Sequence, residues 1–376
     1  MMLYNDKPYY SLDYKLKQEF GEKVYKISLD GGMTCPNRDG LCGDRGCIFC
    51  SSRGSGDFSF SVVANEKNSS SPHIFSQDGK TYYLPTKDEI WETIDKAKEH
   101  ISDKFHANKY IAYYQSYTNT YAPIEVLENL FANTISNPDI VVLSIATRPD
   151  CLSDEIIELL TRLNKIKPVW VELGLQTIHE ETATFIRRGY KLPVFETSVK
   201  KLQKNGIEVI VHVILGLPQG KTAITISKDF EAHNFITQND NPASNGETSS
   251  LAEINKVPIE TNEMIFETIN YLNSLKINGI KLQLLHILKH TDLATFYENH
   301  HFHVYTEDEY INLVINIIER LEPIIVIHRL TGDGNSEELI EPKWSLSKRH
   351  VLNTIHKKMK ELHSYQGKLI KTDLHY

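Results

Sequence analysis

Apolar runs of strand length alternate with amphipathic stretches of helical length along most of this chain. The apolar runs predict six β-strands, at residues 24–29, 110–115, 140–145, 169–175, 209–215 and 280–287. The stretches between them predict helices at residues 87–100, 124–136, 154–165, 193–205 and 262–275. Successive β/α units joined by right-handed crossovers form a parallel sheet that curls toward a barrel. The pattern therefore predicts an α/β fold, a partial (β/α)6 barrel with a small C-terminal α/β extension.

The same pattern divides the chain into three regions. We assign residues 1–23 to an N-terminal extension, residues 24–290 to the barrel and residues 291–376 to the C-terminal extension. The last region is predicted to contain a helix at 306–321, a strand at 323–328 and a helix at 345–362. Two inserts, at residues 64–80 and 233–258, are polar and lack apolar periodicity, so both are predicted to be mobile surface loops.

The fourth predicted strand has one polar and one aliphatic face. The polar face carries Trp170, Glu172, Gly174 and Gln176, which alternate with valine and leucine. Parallel strands buried on both faces usually read as continuously apolar, so a polar stripe inside the barrel needs a reason. A polar cofactor in the barrel mouth is one reason. A hydrogen-bonded polar layer without a ligand is the other, since an unpaired buried carboxylate is costly.

Two neighbouring strands end in further polar groups. The third strand directs Ser144, Ala146 and Arg148 to one side, and the second strand ends at Gln115 in a run of hydrogen-bonding residues. A β/α barrel carries its chemistry at the carboxyl ends of its strands. These side chains are therefore candidate walls of a single pocket.

Cys35, Cys47 and Cys50 lie in a glycine-rich segment directly after the first strand. Thiolates are soft ligands, and three of them would leave one iron of a four-iron cluster open to a small molecule, whereas a ferredoxin needs a fourth. Cys42 supplies a possible fourth thiolate, which leaves a four-thiolate cluster or a structural zinc site as alternatives. Reduced cysteines without metal are a further alternative, and that reading is preferred for the isolated Cys151.

Composition narrows the class of protein. The chain has 376 residues, of which 40% are hydrophobic and 24% charged, enough for one or two domains with a buried core. Five cysteines in this length do not form a disulfide scaffold, and a metal role implies a reducing compartment. The sequence contains no recognisable signal peptide or membrane span, so we expect a soluble, cytoplasmic protein without a membrane partner.

The net charge of −8 argues against a surface coated in positive charge for nucleic-acid binding. Two local basic clusters are nevertheless present. One contains Arg187, Arg188 and Lys191, and the other runs through residues 343–360. Each is either an ordinary solvated face or a patch that binds phosphates.

Eight segments, in order along nearly the whole chain, carry a family resemblance. They are 29–40 (LDGGMTCPNRDG), 46–50 (GCIFC), 115–121 (QSYTNTY), 146–150 (ATRPD), 171–176 (VELGLQ), 212–218 (HVILGLP), 283–289 (QLLHILK) and 328–334 (HRLTGDG). With these segments the chain resembles the radical S-adenosylmethionine (SAM) enzymes of the YhcC/YtqA type, which are related to the elongator catalytic subunit. The predicted fold is then a partial radical-SAM barrel.

The resemblance implies a [4Fe-4S] cluster on Cys35, Cys47 and Cys50, with SAM on the open iron. Cys42 stands where the family pattern requires no cysteine. The reduced cluster would cleave SAM to methionine and a 5′-deoxyadenosyl radical that abstracts hydrogen from an unactivated carbon. Candidate hydrogen-bonding partners of SAM are Gln115, Glu172 and Gln176, and Arg148 or Arg188 is a candidate partner of its carboxylate.

The resemblance also implies a substrate, the wobble uridine of tRNA, on which a carboxymethylaminomethyl group at C5 would become aminomethyl. The implied partners are tRNA and an electron donor such as flavodoxin or ferredoxin, and a methyltransferase that completes the product is a further candidate partner. The alternatives are a radical SAM enzyme acting on a small metabolite or a protein side chain, and a non-catalytic zinc or iron-sulfur module. His212, His286 and His328 are interpreted as structural residues rather than proton-transfer groups.

Overall fold

The structure is a computed structural model, and it describes residues 4, 7–54, 56, 58–63, 74–77, 80–102, 108–225, 257–332 and 334–370. The strands are β1 (Tyr25–Asp30), β2 (Phe60–Ser61), β3 (Ile74–Gln77), β4 (Lys80–Tyr83), β5 (Tyr110–Tyr114), β6 (Ile140–Thr147), β7 (Val169–Gln176), β8 (Glu208–Leu215), β9 (Gly279–Leu284), β10 (Ile287–Leu288), β11 (Val326–Arg329) and β12 (Leu339–Glu341). The helices are α1 (Leu12–Phe20), α2 (Lys87–Ser102), α3 (Ile124–Ile135), α4 (Asp154–Asn164), α5 (Glu180–Phe185), α6 (Leu192–Lys204), α7 (Asn262–Ser274), α8 (Asp292–His300), α9 (Glu307–Arg320) and α10 (Lys348–Glu361).

One parallel sheet of eight strands, in the order β11-β9-β8-β7-β6-β5-β1-β2, organises the fold. Every neighbouring pair in it is parallel. The six predicted strands are its central members, and the predicted helices lie between them in the chain. The α/β prediction and the partial barrel are therefore confirmed, with β11 and β2 as the two edges.

The outer face of the sheet is aliphatic and packs against the helices. Phe131 on α3, Phe195 on α6 and Ile269 on α7 are completely buried in this layer. Burying a side chain of this size contributes roughly 1.5–3 kcal/mol. The helices present their apolar faces because their sequences have helical periodicity, and α4 begins at Ser153, whose hydroxyl accepts a hydrogen bond from the Ile156 amide.

The inner face of the sheet is closed at the amino ends of the strands by a separate apolar cluster. Trp170, Ile111 and Val142 project inward there and pack with Leu16 of α1. The sequence did not predict α1, which begins at the Ser11 cap and lies in the proposed N-terminal extension. Because this end is filled with apolar side chains, the polar groups of the barrel lie toward the opposite mouth.

The C-terminal region differs in detail from its prediction. The sixth predicted strand ends at Leu284, and β10 pairs instead with β12 as an antiparallel ribbon. The predicted strand at 323–328 is β11, which joins the main sheet beside β9. The C-terminal extension therefore supplies a parallel strand to the barrel itself.

The prediction of a mobile loop at residues 64–80 is wrong for its described part. Strand β3 pairs with β4 in an antiparallel hairpin, in which Phe75 and Tyr82 lie opposite each other and pack on the core. Residues 64–73 and 78–79 lie outside the described residues, as does most of the second insert. Its described end, Val257, is fully buried.

Within the described chain, no helix is both long and apolar enough to cross a membrane.

Candidate functional site

The cysteine segment forms a loop at the carboxyl end of β1, held in shape by its own backbone. The carbonyl of Cys35 accepts hydrogen bonds from the amides of Arg38 (2.8 Å) and Asp39 (3.2 Å). The Cys50 amide donates to the Cys47 carbonyl at 3.0 Å. Gly46 has φ +76°, and a Cβ there would lie 2.9 Å from the Arg38 side chain. The loop therefore needs glycine at this turn.

Cys35 and Cys50 lie close enough to Cys47 to shift the pKa of its thiol. Burial raises the pKa of Cys47 to about 12, and the neighbouring Cys50 and Cys35 raise it further in the same direction. The Asn37 amide donates toward the Cys47 sulfur at 3.5 Å. Cys42, on the same loop, is exposed.

The spacing of these thiols differs from a closed zinc site. Among the residues that the structure describes, no three His, Cys, Asp or Glu side chains converge on one point as ligands of a single metal ion. Structural zinc holds four ligands at roughly 2.0–2.3 Å, which requires such convergence. An iron-sulfur cluster takes each thiolate on a different iron, and Cys35, Cys47 and Cys50 supply three such thiols from one loop.

Residues 187–189 dock against the cysteine loop. The Asn37 amide donates to the Arg187 carbonyl at 2.7 Å, and Gly189 has φ +83°. A Cβ on Gly189 would lie 2.4 Å from the Asn37 side-chain oxygen. Arg38 fastens the other side of the loop, donating to the carbonyls of Cys50 (3.0 Å) and Ser51 (2.7 Å).

Arg148 and Arg188, predicted partners of the SAM carboxylate, both have protein partners. Arg148 forms a two-point ion pair with Asp150 at 2.9 and 2.7 Å and donates to the Arg188 carbonyl at 2.9 Å. Arg188 is 2% exposed. Its guanidinium donates to the carbonyls of Leu175, Thr177 and Tyr190 and pairs with Glu180. The Arg188 guanidinium thus ties the end of β7 to the loop that docks on the cysteines, and the Arg148 guanidinium ties that loop to the segment after β6.

Gln176 and Gln115 lie at the mouth of the barrel, at the carboxyl ends of their strands. Gln176 has φ +68°, and the pairing of β7 with β8 shifts register beside it. Its side-chain oxygen is buried and has no hydrogen-bond partner among the described residues. Gln115 accepts a hydrogen bond from the Ser28 hydroxyl at 3.1 Å. A strained residue with an unsatisfied buried acceptor is typical of a site that a ligand completes.

Glu172 lies deeper in the barrel and is neutralised by the protein. Its carboxylate pairs with Lys26 at 2.9 Å and with Lys281, and it accepts a hydrogen bond from the Ser144 hydroxyl at 2.8 Å. Burial opposes its charge, but the two ammonium groups outweigh burial and hold its pKa well below the usual range. At the level of Glu172, the polar face predicted for β7 is therefore a hydrogen-bonded layer of protein side chains.

That layer contains cationic residues that the sequence reasoning missed. The ammonium groups of Lys26 and Lys281 lie 4.3 and 4.2 Å from the centre of the Tyr113 ring. Arg329 donates to the Nε2 of His212 at 3.0 Å and to the Gln283 side-chain oxygen at 2.5 Å. The signal was available in β1 and β9, where lysine alternates with aliphatic residues as Glu172 does in β7.

The three histidines occupy different surroundings. Burial keeps the pKa of His212 well below its usual value, and the neighbouring Arg329 and Lys281 add to this effect. His328 packs edge-on against Trp170, with ring centres 5.4 Å apart. His286 lies 3.2 Å from the Ser345 hydroxyl. Asp333, in the segment 328–334 that carries part of the family resemblance, lies outside the described residues.

Comparison with known proteins agrees with this arrangement. Residues 41–222 match the Radical SAM superfamily, and residues 277–361 match the Radical_SAM C-terminal domain. Protein YtqA of Bacillus subtilis is 36% identical over 363 residues, which cover 96% of this chain and 93% of YtqA. Protein YhcC of Escherichia coli K12 is 28% identical over 330 residues, covering 88% and 85% respectively.

The fold likeness extends to a solved structure. The archaeal Methanocaldococcus infernus Elp3 with an N-terminal deletion has a TM-score of 0.55 and 15% sequence identity, over 74% of this chain and 60% of that one. Enzymes with this domain use a [4Fe-4S] cluster and SAM, and they need an electron donor. The chain belongs to the radical SAM superfamily and is a radical SAM enzyme with these two cofactors.

Proposed function

We propose that Cys35, Cys47 and Cys50 hold the [4Fe-4S] cluster and that Cys42 does not. The observation that carries this is the mutual proximity of the three thiols on a preformed loop, with Cys42 exposed. Burial and the two neighbouring thiols raise the pKa of the Cys47 thiol, which would give up its proton when iron binds. When bound, the cluster supplies the electron that cleaves SAM to methionine and a 5′-deoxyadenosyl radical.

We infer that Gln176 and Gln115 contact SAM at the barrel mouth. Gln176 offers a buried acceptor that the described protein leaves unsatisfied. Arg148 and Arg188 contribute indirectly in this proposal, because their donors are engaged in holding residues 187–189 against the cysteine loop. Glu172 also has no direct contact with SAM in this proposal. It pairs with Lys26 and Lys281 in the layer below the barrel mouth. The closed amino end of the barrel keeps water from the radical.

The proposed substrate is the wobble uridine of tRNA, with carboxymethylaminomethyl at C5 converted to aminomethyl. Two similarities support it. A tRNA uridine(34) acetyltransferase of Methanocaldococcus jannaschii is 33% identical over 78 residues, 21% of this chain and 14% of that protein. The eight sequence segments also resemble a family related to the elongator catalytic subunit, and the Methanocaldococcus infernus Elp3 structure, 15% identical with a TM-score of 0.55, shares this fold.

A basic surface on the C-terminal region supports a nucleic-acid substrate. Lys343 and Arg349 are exposed near the start of α10, and Lys357 and Lys360 are exposed near its end. The Lys357 side chain is 77% exposed. Lysines on one helix can neutralise several phosphates even when the net charge is −8. We propose this helix as the tRNA contact.

The test is to incubate the cluster-loaded enzyme with SAM, dithionite and tRNA that carries the carboxymethylaminomethyl group. We expect 5′-deoxyadenosine to accumulate faster with this tRNA. Hydrogen abstraction and loss of one further electron, which replaces the electron spent on SAM cleavage, oxidise the carbon next to the amine. Water then breaks the carbon–nitrogen bond, so the wobble nucleoside carries hydrogen in place of the carboxymethyl group, which leaves as glyoxylate. K357E should weaken tRNA binding and lower its salt dependence. K96E, an exposed lysine on α2, is the control. Cleavage of SAM that is indifferent to tRNA would favour a small metabolite or a protein side chain as substrate.

A further inference from the structure

Among the described residues, the layer around Glu172 holds more basic than acidic side chains. Lys26 and Lys281 pair with the Glu172 carboxylate, and Arg329 lies near Lys281 and Tyr113 on the same layer. The chief neighbours that shift the pKa values of Tyr113, Glu172, His212 and Lys281 include one carboxylate, that of Glu172. One lysine is sufficient to neutralise Glu172, so the second lysine and the arginine are in excess.

Uncompensated charge of this kind is expensive inside a protein. The side chain of Lys281 is 8% exposed and that of Lys26 is 23% exposed. Burial, together with neighbouring cations, lowers the pKa of Lys281 well below its usual value, although Glu172 opposes this. The arrangement would be relieved by an anion, which would restore the charge balance and favour the protonated lysine.

Among the described residues of this layer, Arg329 most clearly lacks a charged partner. Its guanidinium donates to His212 and Gln283, which are both uncharged acceptors in this setting. Its Nε is buried and has no hydrogen-bond partner in the described part of the chain. The pairing of β11 with β9 shifts register between Ile327 and Arg329, and this irregularity brings Arg329 into the interior beside His212.

The cationic layer lies below the mouth of the barrel. Tyr113 precedes Gln115 by two residues on one strand, and Glu172 precedes Gln176 by four on another. At roughly 3.3 Å per residue, the layer is about 7–13 Å below the proposed SAM contacts. Arg329 and Tyr113 project inward and are only partly buried, so part of each side chain stays accessible. A group that enters through the mouth past the cofactor would reach this layer.

We propose that this layer, centred on Arg329 with Lys26 and Lys281, binds a carboxylate of the substrate. The inference rests on the proposed function, because it assigns the carboxymethylaminomethyl carboxylate to these cations. A planar carboxylate suits the guanidinium fork, and the two ammonium groups supply additional donors. Holding the carboxylate below the mouth positions the carbons next to it toward the cofactor.

Equilibrium dialysis of the cluster-loaded enzyme under anaerobic conditions tests the proposal with matched probes. The probes are 5-carboxymethylaminomethyluridine and its carboxamide, N-methylglycine and its carboxamide, and uridine 5′-monophosphate. The proteins are wild type, R329Q, R329K and the surface control R162Q, whose side chain is 55% exposed. The side-chain partners of Arg329 in the described chain are His212 and Gln283, so R329Q leaves no carboxylate there without its partner. Thermal unfolding checks that R329Q folds.

We expect wild type and R162Q to bind each acid about tenfold or more tightly than its carboxamide. R329Q should lose that preference, and R329K should keep part of it. Equal binding of acid and carboxamide by wild type, or a preference that survives R329Q, would overturn the assignment. Arg329-dependent binding of uridine 5′-monophosphate without a carboxylate preference would also overturn it, since the site would then serve phosphate.

The probes separate this inference from the proposed function. If wild type binds N-methylglycine in an Arg329-dependent way but binds neither uridine nucleoside, the anion site is supported and the uridine substrate is wrong. If both uridine nucleosides bind equally and the enzyme modifies tRNA, the function is supported and the carboxylate site is wrong.

Discussion

Replacing Glu172 by glutamine should destabilise the protein strongly, because this carboxylate compensates the cationic layer. The substitution keeps the shape of the side chain but leaves Lys281, which is 8% exposed, without a negative partner. Breaking a buried ion pair by removing one partner costs about 3–5 kcal/mol. Losing the pair with Lys26 costs less free energy, because the Lys26 side chain is 23% exposed and better solvated. We therefore expect E172Q to lose about 3–5 kcal/mol of unfolding free energy at pH 7.

Urea unfolding of the cluster-free protein measures this value, with E128Q as the control. Glu128 pairs with Arg162 at 2.9 Å, but both side chains are more than half exposed, so its removal should cost about 0–1 kcal/mol. The double variant E172Q K281M removes the stranded lysine and should recover about half of the loss. If E172Q costs no more than E128Q, Glu172 does not compensate buried cations and the electrostatic account of the layer is wrong.

The pH dependence has a definite sign. The pKa of Glu172 in the folded protein is held well below its ordinary value of 4.5. Its contribution to stability is therefore fully present above pH 4.5 and is lost as pH falls through the lowered pKa. The difference between wild type and E172Q should be constant from pH 7 to about pH 5 and shrink below pH 4.5. A difference that grows on acidification would contradict the assignment.

Three further substitutions test the packing of the site. G220A should lower the free energy of unfolding by at least about 3 kcal/mol, because its Cβ would lie 2.0 Å from the Glu181 backbone. Its control, G206A, lies in open space at φ +70° and should lose about 1–2 kcal/mol. Equal urea midpoints of the two variants would contradict this difference. R188K should lower the free energy of unfolding by about 1–3 kcal/mol, because a lysine leaves buried carbonyls unpaired. An unchanged unfolding curve would show that the guanidinium is not needed for stability. N37A should lower the iron retained after gel filtration, because the loop loses its tie to the Arg187 carbonyl, and wild-type iron content would contradict that role.

Much of the fold could be predicted from the sequence because local pattern and burial agree. In β7, Val171 and Leu173 face the helices while Glu172 faces the interior, so the alternation in the sequence corresponds to the two faces in the structure. Helix α1 was missed because most of its residues are polar or charged and its apolar contacts, such as Leu16, form only against the barrel end. Strand β3 was missed because its polar residues pair with β4 rather than with the sheet.

The site was predictable in its residue types more than in its contacts. The cysteine loop and the glutamines at the strand ends follow from position along the strands. Arg188 could not be distinguished by sequence as a residue that binds backbone carbonyls, since that depends on the turn after β7. Arg329 enters the barrel where its strand pairs irregularly with β9, and the alternation of residues does not predict such an irregularity.

The most direct test of the central claim is SAM cleavage by the reconstituted enzyme and its cysteine variants. Wild type, C35A, C42A, C47A and C50A are loaded anaerobically with iron and sulfide, given SAM and dithionite, and assayed by chromatography for 5′-deoxyadenosine. We predict that wild type and C42A form 5′-deoxyadenosine and that the other three variants do not. Loss of product in C42A as well, or product from any one of C35A, C47A and C50A, would contradict the three-cysteine cluster.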